Sequence, residues 1–589
     1  MKKRVADIIM EILVENGITD CFAVVGGGAM HLDNALALND NIHKYFNHHE
    51  QACAMAAEAY ARVSGKMAAV CVTSGPGATN AITGVVGAWQ DSLPMIVLSG
   101  QVRYEISVPK SGLELRYRGI QEFEIIPTVK NMTKYAVMIT DPLSIKKELQ
   151  YAIDIAMEGR RGPVWLDIPQ DIQSAMVEVE ELYPVEALEK SQYFVDYELI
   201  QEYIKDAERP CILAGSGIIS GDAKEEFEKL INQLGVPVIG GAWVADNFYL
   251  EHPLYYGVSG NIGPRTGNFI LQNADLIVSM GNSLGFRQTG FNLAEFAPNA
   301  KIVMIDADKN EGKKPGLNIE HFVHCEIKQF LCNALEKMVA VEVPHEWLEY
   351  CNMLKNRFTP FEAVEDISPE ERVCSYYFWK IFQQYEPEDS ILVLGNNTAN
   401  TAKLQIGVQK KQQRVITNYT CGSMGYDLPA AIGAQVASKR RTFCVTGDGS
   451  IMMNLQELQT ISHYDLPIDV VVFSNDGYAA IRQTSKNFFN GVCIGCTPET
   501  GISFPDFQKV AETFGFEYIC CETNADVSDI VQKVLKSEKR VMLEVKQLYD
   551  NPVVPKVMSR LDENGKMLTP ALHDMAPFLD KAEMDKLMF

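Results

Sequence analysis

A Gly-Asp-Gly-Ser tetrapeptide at residues 447–450 stands between two stretches that read as buried strands, RTFCVT over 441–446 and IDVVVFS over 468–474. Turn residues that follow a buried strand point to an open parallel sheet, where ligands bind beyond the carboxyl ends of the strands. Residues 450–474 number twenty-five, and the second strand runs into Asn475-Asp476-Gly477-Tyr478. Asp448 offers a carboxylate oxygen, Asn475 an amide oxygen and Gly477 a backbone carbonyl. These are hard ligands of the kind Mg²⁺ takes, and phosphate oxygens and water would complete the octahedron. Gly-Asp-Gly alone is a common turn; its spacing to Asn-x-x-Tyr turns the reading toward a metal that holds a diphosphate.

The 589 residues are 47% hydrophobic, more than one core requires, so several domains are expected. A net charge of −23 spread along the chain disfavours nucleic acid and anionic membranes as partners. Met1-Lys2-Lys3-Arg4 resembles the start of a signal peptide, but Asp7, Glu11 and Glu15 interrupt the apolar stretch after it. Val5, Ile8, Ile9, Ile12 and Leu13 fall at helical spacing, which predicts an amphipathic first helix. No eighteen-residue apolar window exists, so no membrane span is expected. The fourteen cysteines are scattered through apolar segments and read as reduced core residues of a cytoplasmic protein. Cys493-x-x-Cys496 has no second pair to complete a structural zinc site.

Three blocks alternate strand and helix patterns, which predicts an α/β protein of three doubly wound domains with mainly parallel sheets. The first runs over 1–182, with strands at 68–73, 95–99 and 164–168; an acidic linker comes next. The second runs over 190–340, with strands at 211–214, 236–239, 276–280 and 302–305. Its Gly215-Ser216-Gly217 lacks the third glycine of a dinucleotide fingerprint and reads as a plain strand–turn–helix junction. The third runs over 373–550 and holds the opening motif. The tail, 551–589, mixes Pro, charge and Met; it is expected either to fold over a site or to lie on the surface.

With these motifs in place, nearly the whole chain resembles the thiamine diphosphate (ThDP) enzymes, and most closely the acetolactate synthase group. Their signature is Gly-Asp-Gly, twenty-odd residues, then Asn-Asn, where this chain has Ser474-Asn475. The resemblance implies a pyrimidine-binding first domain, a Rossmann-like central domain and a diphosphate- and Mg²⁺-binding third domain. It implies Asp448, Asn475 and Gly477 as metal ligands, with Gly447, Gly449, Ser450, Tyr478 and Ala479 around them. Glu50, in Asn47-His48-His49-Glu50-Gln51-Ala52, matches the family's proton-relay glutamate at the aminopyrimidine N1′, and the small apolar residues after it predict burial. Ser74-Gly75-Pro76-Gly77-Ala78-Thr79-Asn80 follows a strand and opens a helix, as does the family's pyrimidine loop, so Ser74, Gly75, Pro76 and Asn80 are expected to bind cofactor. In Gly422-Ser423-Met424-Gly425, the resemblance implies that the Gly422 carbonyl and Ser423 meet the cofactor and that Met424 is the wedge that bends it. Gly395-Asn396-Asn397 stands where acetolactate synthases have Gly-Gln-His beside the diphosphate.

Members of this shape decarboxylate a 2-oxo acid and then either protonate the product or add it to a second carbonyl compound. Addition is favoured by Gly26-Gly27-Gly28, which matches their Tyr-Pro-Gly-Gly loop, and by catalytic Gln121 with Glu122, which matches Phe-Gln-Glu. Arg287 matches an arginine that either clamps an acceptor carboxylate or contacts FAD. The central domain's likeness implies a bound, redox-inactive flavin. Thr484 and Ala480 replace a Trp and a Met of the acceptor pocket, which predicts a wider pocket lined by Arg482 and Gln483 and a sugar-sized acceptor. A simple decarboxylase and a non-catalytic regulatory paralogue are the alternative readings. The family's architecture implies a homodimer or homotetramer with its active site at the subunit interface.

Overall fold

The computed structural model describes residues 1–189, 191–242, 244–361, 364, 367–396, 398–418, 420–561 and 567–589. Two compact units form. One gathers Met1–Ser191, Thr417–Cys444 and Ser450–Ile468; the other gathers Gln192–Ile416, Val445–Gly449 and Asp469–Phe589. Three six-stranded sheets carry the α/β pattern read from the sequence.

The first sheet runs His43–Phe46, Asp20–Ala23, Ala69–Val72, Met95–Gln101, Pro163–Pro169, Tyr135–Met138, and every pairing is parallel. In chain order that is 2-1-3-4-6-5. The third sheet repeats it: Arg414–Ile416, Ile391–Leu394, Thr442–Gly447, Ile468–Ser474, Val541–Lys546, Glu517–Cys521. The central sheet runs Tyr255–Val258, Val238–Gly240, Pro210–Ala214, Leu276–Met280, Lys301–Asp306, Ile319–His324, the 3-2-1-4-5-6 order of a dinucleotide-binding fold. The strand order reverses beside the first strand in each case, so the switch point of the first sheet lies between Asp20–Ala23 and Ala69–Val72. That of the third sheet lies between Ile391–Leu394 and Thr442–Gly447. Loops from these strands carry the motifs singled out in the sequence.

Helix Val5–Glu15 is amphipathic as expected, with Ile8, Ile9, Ile12 and Leu13 buried. Small residues set the packing around helix Glu50–Ser64. A Cβ on Gly433, in helix Asp427–Ser438, would strike the backbone of Ala56. One on Gly84, in helix Pro76–Gln90, would lie 2.5 Å from the Ala54 methyl. Bulk at either position would push the helices apart. Beneath them, Glu58 accepts from Arg62 and Tyr426, and Arg62 also binds Asp91. Burial pushes the Glu58 carboxyl up, and the Arg62 guanidinium draws it back.

The tail lies on the central domain. Leu572, Met575 and Leu587 are buried, and Asn268 Nδ2 donates to the Leu572 carbonyl while Asn273 Nδ2 donates to that of Leu587. All fourteen cysteines are unpaired, and ten of them are buried; Cys332 is exposed, and Cys421, Cys493 and Cys520 are half-buried, so the core reading holds for ten only.

Candidate active site

In the first unit, three loops at the switch point meet. His49 caps helix Glu50–Ser64 by accepting from the Gln51 N–H through Nδ1 at 3.1 Å, which places Glu50 at the first helical position. The preceding segment is fixed by Glu457, which accepts from Asn47 Nδ2 at 2.8 Å and the His48 N–H at 3.0 Å. Asn80 Nδ2 donates to Glu50 Oε2 at 3.0 Å. The other oxygen, Oε1, lies 3.3 Å from where a Cβ on Gly77 would stand. Glu50 and the 74–80 loop are thus brought together. Glu50 itself is half-buried rather than buried, because the helix start leaves one side of its carboxylate open. The buried residues are the ones after it, Ala52 to Ala61.

Gly75 turns at φ +60°, and a Cβ there would strike the Gln121 carbonyl. Gln121 is exposed and holds φ +59°, a left-handed conformation costly for a residue with a side chain and typical of functional sites. Glu122 holds the loop: its carboxylate accepts from the N–H groups of Val108 at 2.5 Å, Arg118 at 2.7 Å and Gly119 at 2.8 Å. Below it, Gln101 Nε2 donates to the Phe123 carbonyl at 2.8 Å and to Asp167 at 3.0 Å. Burial pushes Asp167 up to about 7, against the bonds from Ser99 and Gln101 that draw it down. Sequence reasoning missed Asp167 and Gln101; a carboxylate inside the otherwise apolar strand Pro163–Pro169 was the available signal for Asp167, and Gln101, at the end of its strand, gave none. Ser74 is buried, and Pro76 opens helix Pro76–Gln90. The Gly26 N–H donates to Asp33 at 3.0 Å, and the Gly27 carbonyl accepts from Gln170 at 2.7 Å.

The same unit holds the 422–425 loop. Gly422 turns at φ +63° and Gly425 at φ +78°, and Asn418 Nδ2 donates to Ser423 Oγ at 2.7 Å. Ser450 Oγ donates to Asp427 at 2.6 Å and accepts from the Gly425 N–H at 2.9 Å, which ties the motif's serine to this loop. Met424 is half-buried, outside the core.

In the second unit, Asp448 follows strand Thr442–Gly447. Its Oδ1 accepts from the Gly449 N–H at 2.9 Å, and Oδ2 accepts from those of Asn475 at 3.0 Å and Gly477 at 3.2 Å. Burial pushes its carboxyl up to about 6 against these amides. Asn475 Nδ2 donates to Gln547 at 2.9 Å, which fixes which end of the amide offers its oxygen. The Gly477 N–H engages Asp448, and Tyr478 N–H donates to the Cys496 carbonyl at 3.0 Å just before Ala479 opens helix Ala479–Phe488. Among the described residues no cluster of three or more His, Cys, Asp or Glu could hold a metal. In this loop Asp448 and Asn475 are the residues that could hold a divalent ion. The Gly395 N–H donates to the Val445 carbonyl at 2.9 Å, and Asn396 is exposed. Asn397 lies outside the described residues.

Arg482 does not join an acceptor pocket with Gln483 and Thr484. It is buried, whereas Ala480 and Thr484 lie exposed on the other side of the helix and Gln483 is exposed on its flank. Residues two apart on a helix point roughly 200° from each other, so members of one linear motif face opposite ways. In the central domain Gly217 packs against Gly281, with a virtual Cβ 2.8 Å from the Gly281 Cα, and Asn247 Nδ2 donates to the carbonyls of Ala214 and Gly215 at 2.8 and 2.7 Å. The plain-junction reading of that turn accounts for its glycines. Arg287 is exposed on helix Phe286–Thr289.

Family models agree with this division of labour. Residues 3–122 match the N-terminal TPP binding domain of thiamine pyrophosphate enzymes, 198–332 their central domain and 394–545 their C-terminal TPP binding domain. A probable acetolactate synthase large subunit of Methanocaldococcus jannaschii is 30% identical over 564 residues, 92% of this chain and 91% of that protein. The acetolactate synthase isozyme 2 large subunit of Escherichia coli is 28% identical over 92% of this chain and 95% of its own. The acetolactate synthase large subunit of Lactococcus lactis is 28% identical over 94% of both. With Glu50 on the Asn80 loop and Asp448 in its ring of amides, the chain belongs to the ThDP-dependent, acetolactate-synthase-like enzymes that transfer a two-carbon unit.

Proposed function

We propose that this protein is a Mg²⁺-dependent carboligase that takes its two-carbon unit from pyruvate and gives it to a carbonyl acceptor larger than pyruvate, of sugar size. The observation that carries the acceptor is the exposed face of helix Ala479–Phe488, where Ala480 and Thr484 stand in place of the larger residues of the acetolactate synthases. ThDP, when bound, supplies the electron sink for decarboxylation. The residues of this chain do the rest. Glu50 holds and moves a proton at the aminopyrimidine ring, with Asn80 fixing its carboxylate. Asp448 and Asn475 would hold the metal and Met424 the bent cofactor. Gln121, kept in its left-handed conformation by the Glu122 loop, presents an amide to the acceptor. A narrow pocket would select small acceptors by contact; an open one must rely on polar groups, which reject analogues that leave them unpaired.

The proposed assembly is a homodimer or homotetramer with active sites at the subunit interface. Its support is the apolar surface on the 103–124 segment, where Leu113, Tyr117 and Ile120 are exposed, Ile120 at 89%. A cytoplasmic location is supported by the unpaired cysteines; among the described residues no helix is long and apolar enough to cross a membrane. A redox-inactive flavin on the central domain is supported by Arg287, beside Phe286 and Phe291, whose exposed rings stack at 5.9 Å. The test of the function is competition. Purified protein with ThDP, Mg²⁺ and labelled pyruvate is offered keto-sugars and aldehydes of graded size. The two-carbon adduct should go to the larger acceptors; a preference for 2-oxobutyrate would make the acceptor a small 2-oxo acid instead.

A further inference from the structure

Arg482 is 5% exposed and sits inside the metal loop. Its Nη2 donates to the Asn475 carbonyl at 3.2 Å, to Asn475 Oδ1 at 3.1 Å and to the Tyr549 carbonyl at 2.7 Å. The guanidinium stacks on the Tyr549 ring, 3.8 Å from its centroid. Its Nε and Nη1 have no hydrogen-bond partner among the described residues. Nη1 lies 2.5 Å from where a Cβ on Gly477 would stand, so the glycine lets the cation come against the loop backbone. None of the groups that Arg482 bonds is a carboxylate, and the nearby Asp476 carboxylate is taken by Arg372 at 2.8 Å. A buried cation that bonds no carboxylate among the described residues is costly unless a ligand adds negative charge beside it.

Resting on the ThDP reading above, we propose that Arg482 is a fixed counter-cation for the cofactor's diphosphate, acting beside the exchangeable metal. The charge count calls for one. Asp448 cancels half the charge of a divalent ion, which leaves the diphosphate under-neutralised; a guanidinium that shares Asn475 Oδ1 with the metal site narrows the deficit. With Nη2 bonded to Asn475 and Tyr549 and with Nε and Nη1 buried, the guanidinium acts on the phosphate oxygens through its fixed charge rather than by direct hydrogen bonds. ThDP retention therefore has a component that survives removal of the metal.

The experiment is a calorimetric titration of ThDP into metal-stripped full-length protein, in chelator and in saturating Mg²⁺, for wild type, Arg482→Met and Arg482→Lys. Wild type should bind ThDP in chelator, more weakly than with Mg²⁺. Arg482→Met should bind about tenfold to a hundredfold more weakly than wild type in chelator, and with a shallower salt dependence. Arg482→Lys should recover part of the loss. Inorganic pyrophosphate should compete for the metal-free site of the wild type and not for that of Arg482→Met. Equal affinity of wild type and a folded Arg482→Met in chelator would overturn the proposal. If Arg482→Met does not fold, Arg482→Gln takes its place: binding in chelator equal to that of wild type overturns the proposal, and binding at least about tenfold weaker supports it. Failure of the wild type to bind ThDP even with Mg²⁺ would overturn the cofactor reading itself.

Discussion

Asn80 Nδ2 donates to Glu50 Oε2 at 3.0 Å, joining the loop after strand Ala69–Val72 to the helix after strand His43–Phe46. The bond holds one carboxylate oxygen and leaves the proton-carrying role to the other. Glu50→Gln keeps the shape and the Asn80 partner but cannot exchange a proton. Turnover is expected to fall about 10²- to 10⁴-fold, with ThDP affinity little changed. Parallel steady-state kinetics and ThDP titration check this; turnover near that of wild type would remove Glu50 from the mechanism.

Asp448 should show itself through pH. Burial raises its carboxyl to about 6 in the metal-free chain, and a metal ligand must be deprotonated. Above that value the carboxylate is ready for Mg²⁺. Below it, protons compete, and Mg²⁺-dependent ThDP retention should weaken about tenfold per pH unit. Asp448→Ala should abolish the Mg²⁺-dependent part at every pH. Retention by gel filtration in buffers from pH 5 to 8 reads both, and a profile flat through pH 6 would contradict the metal role.

Much of this was legible in the sequence because burial patterns record strands well. The predicted strands at 276–280 and 468–474 coincide with Leu276–Met280 and Ile468–Ser474, and the Gly-Asp-Gly motif falls at a strand end as read. Apolar runs do not record which strand neighbours which, so the shared 2-1-3-4-6-5 order of the first and third sheets was invisible. Pairing of Lys2–Arg4 with Met176–Glu178 was hidden for the same reason: two three-residue strands, Lys-Lys-Arg and Met-Val-Glu, are too short to show an apolar pattern. Arg482 was misplaced because a motif is linear while a helix is not. The tail's three anchors, Leu572, Met575 and Leu587, are diluted among polar residues, and only tertiary contact distinguishes them.

The flavin is tested by an absorption spectrum of gently purified protein, before and after FAD is added. Flavin bands that survive gel filtration are expected, with no change of oxidation state during turnover. A spectrum without flavin bands even after adding FAD would restrict the central domain to a structural role, in keeping with the packing of Gly217 on Gly281.

Thr484 is exposed, and its hydroxyl donates back to the Ala480 carbonyl at 3.0 Å, so a larger side chain there projects outward without disturbing the core. Thr484→Trp should lower kcat/KM for a bulky acceptor more than for pyruvate, by about tenfold or more in the ratio, since loss of fit in a pocket costs on the order of 1–3 kcal/mol. An unchanged ratio would separate this face from the acceptor.

The central claim is transfer of a two-carbon unit, and a carbon balance tests it most directly. Protein with ThDP and Mg²⁺ is given uniformly ¹³C-labelled pyruvate and an unlabelled acceptor, and the products are read by mass spectrometry. The account predicts one labelled CO₂ for each acceptor enlarged by two labelled carbons, and little free acetaldehyde. Labelled acetaldehyde matching the CO₂, with no enlarged acceptor from pyruvate or any carbonyl compound offered, would make the protein a simple decarboxylase and contradict it.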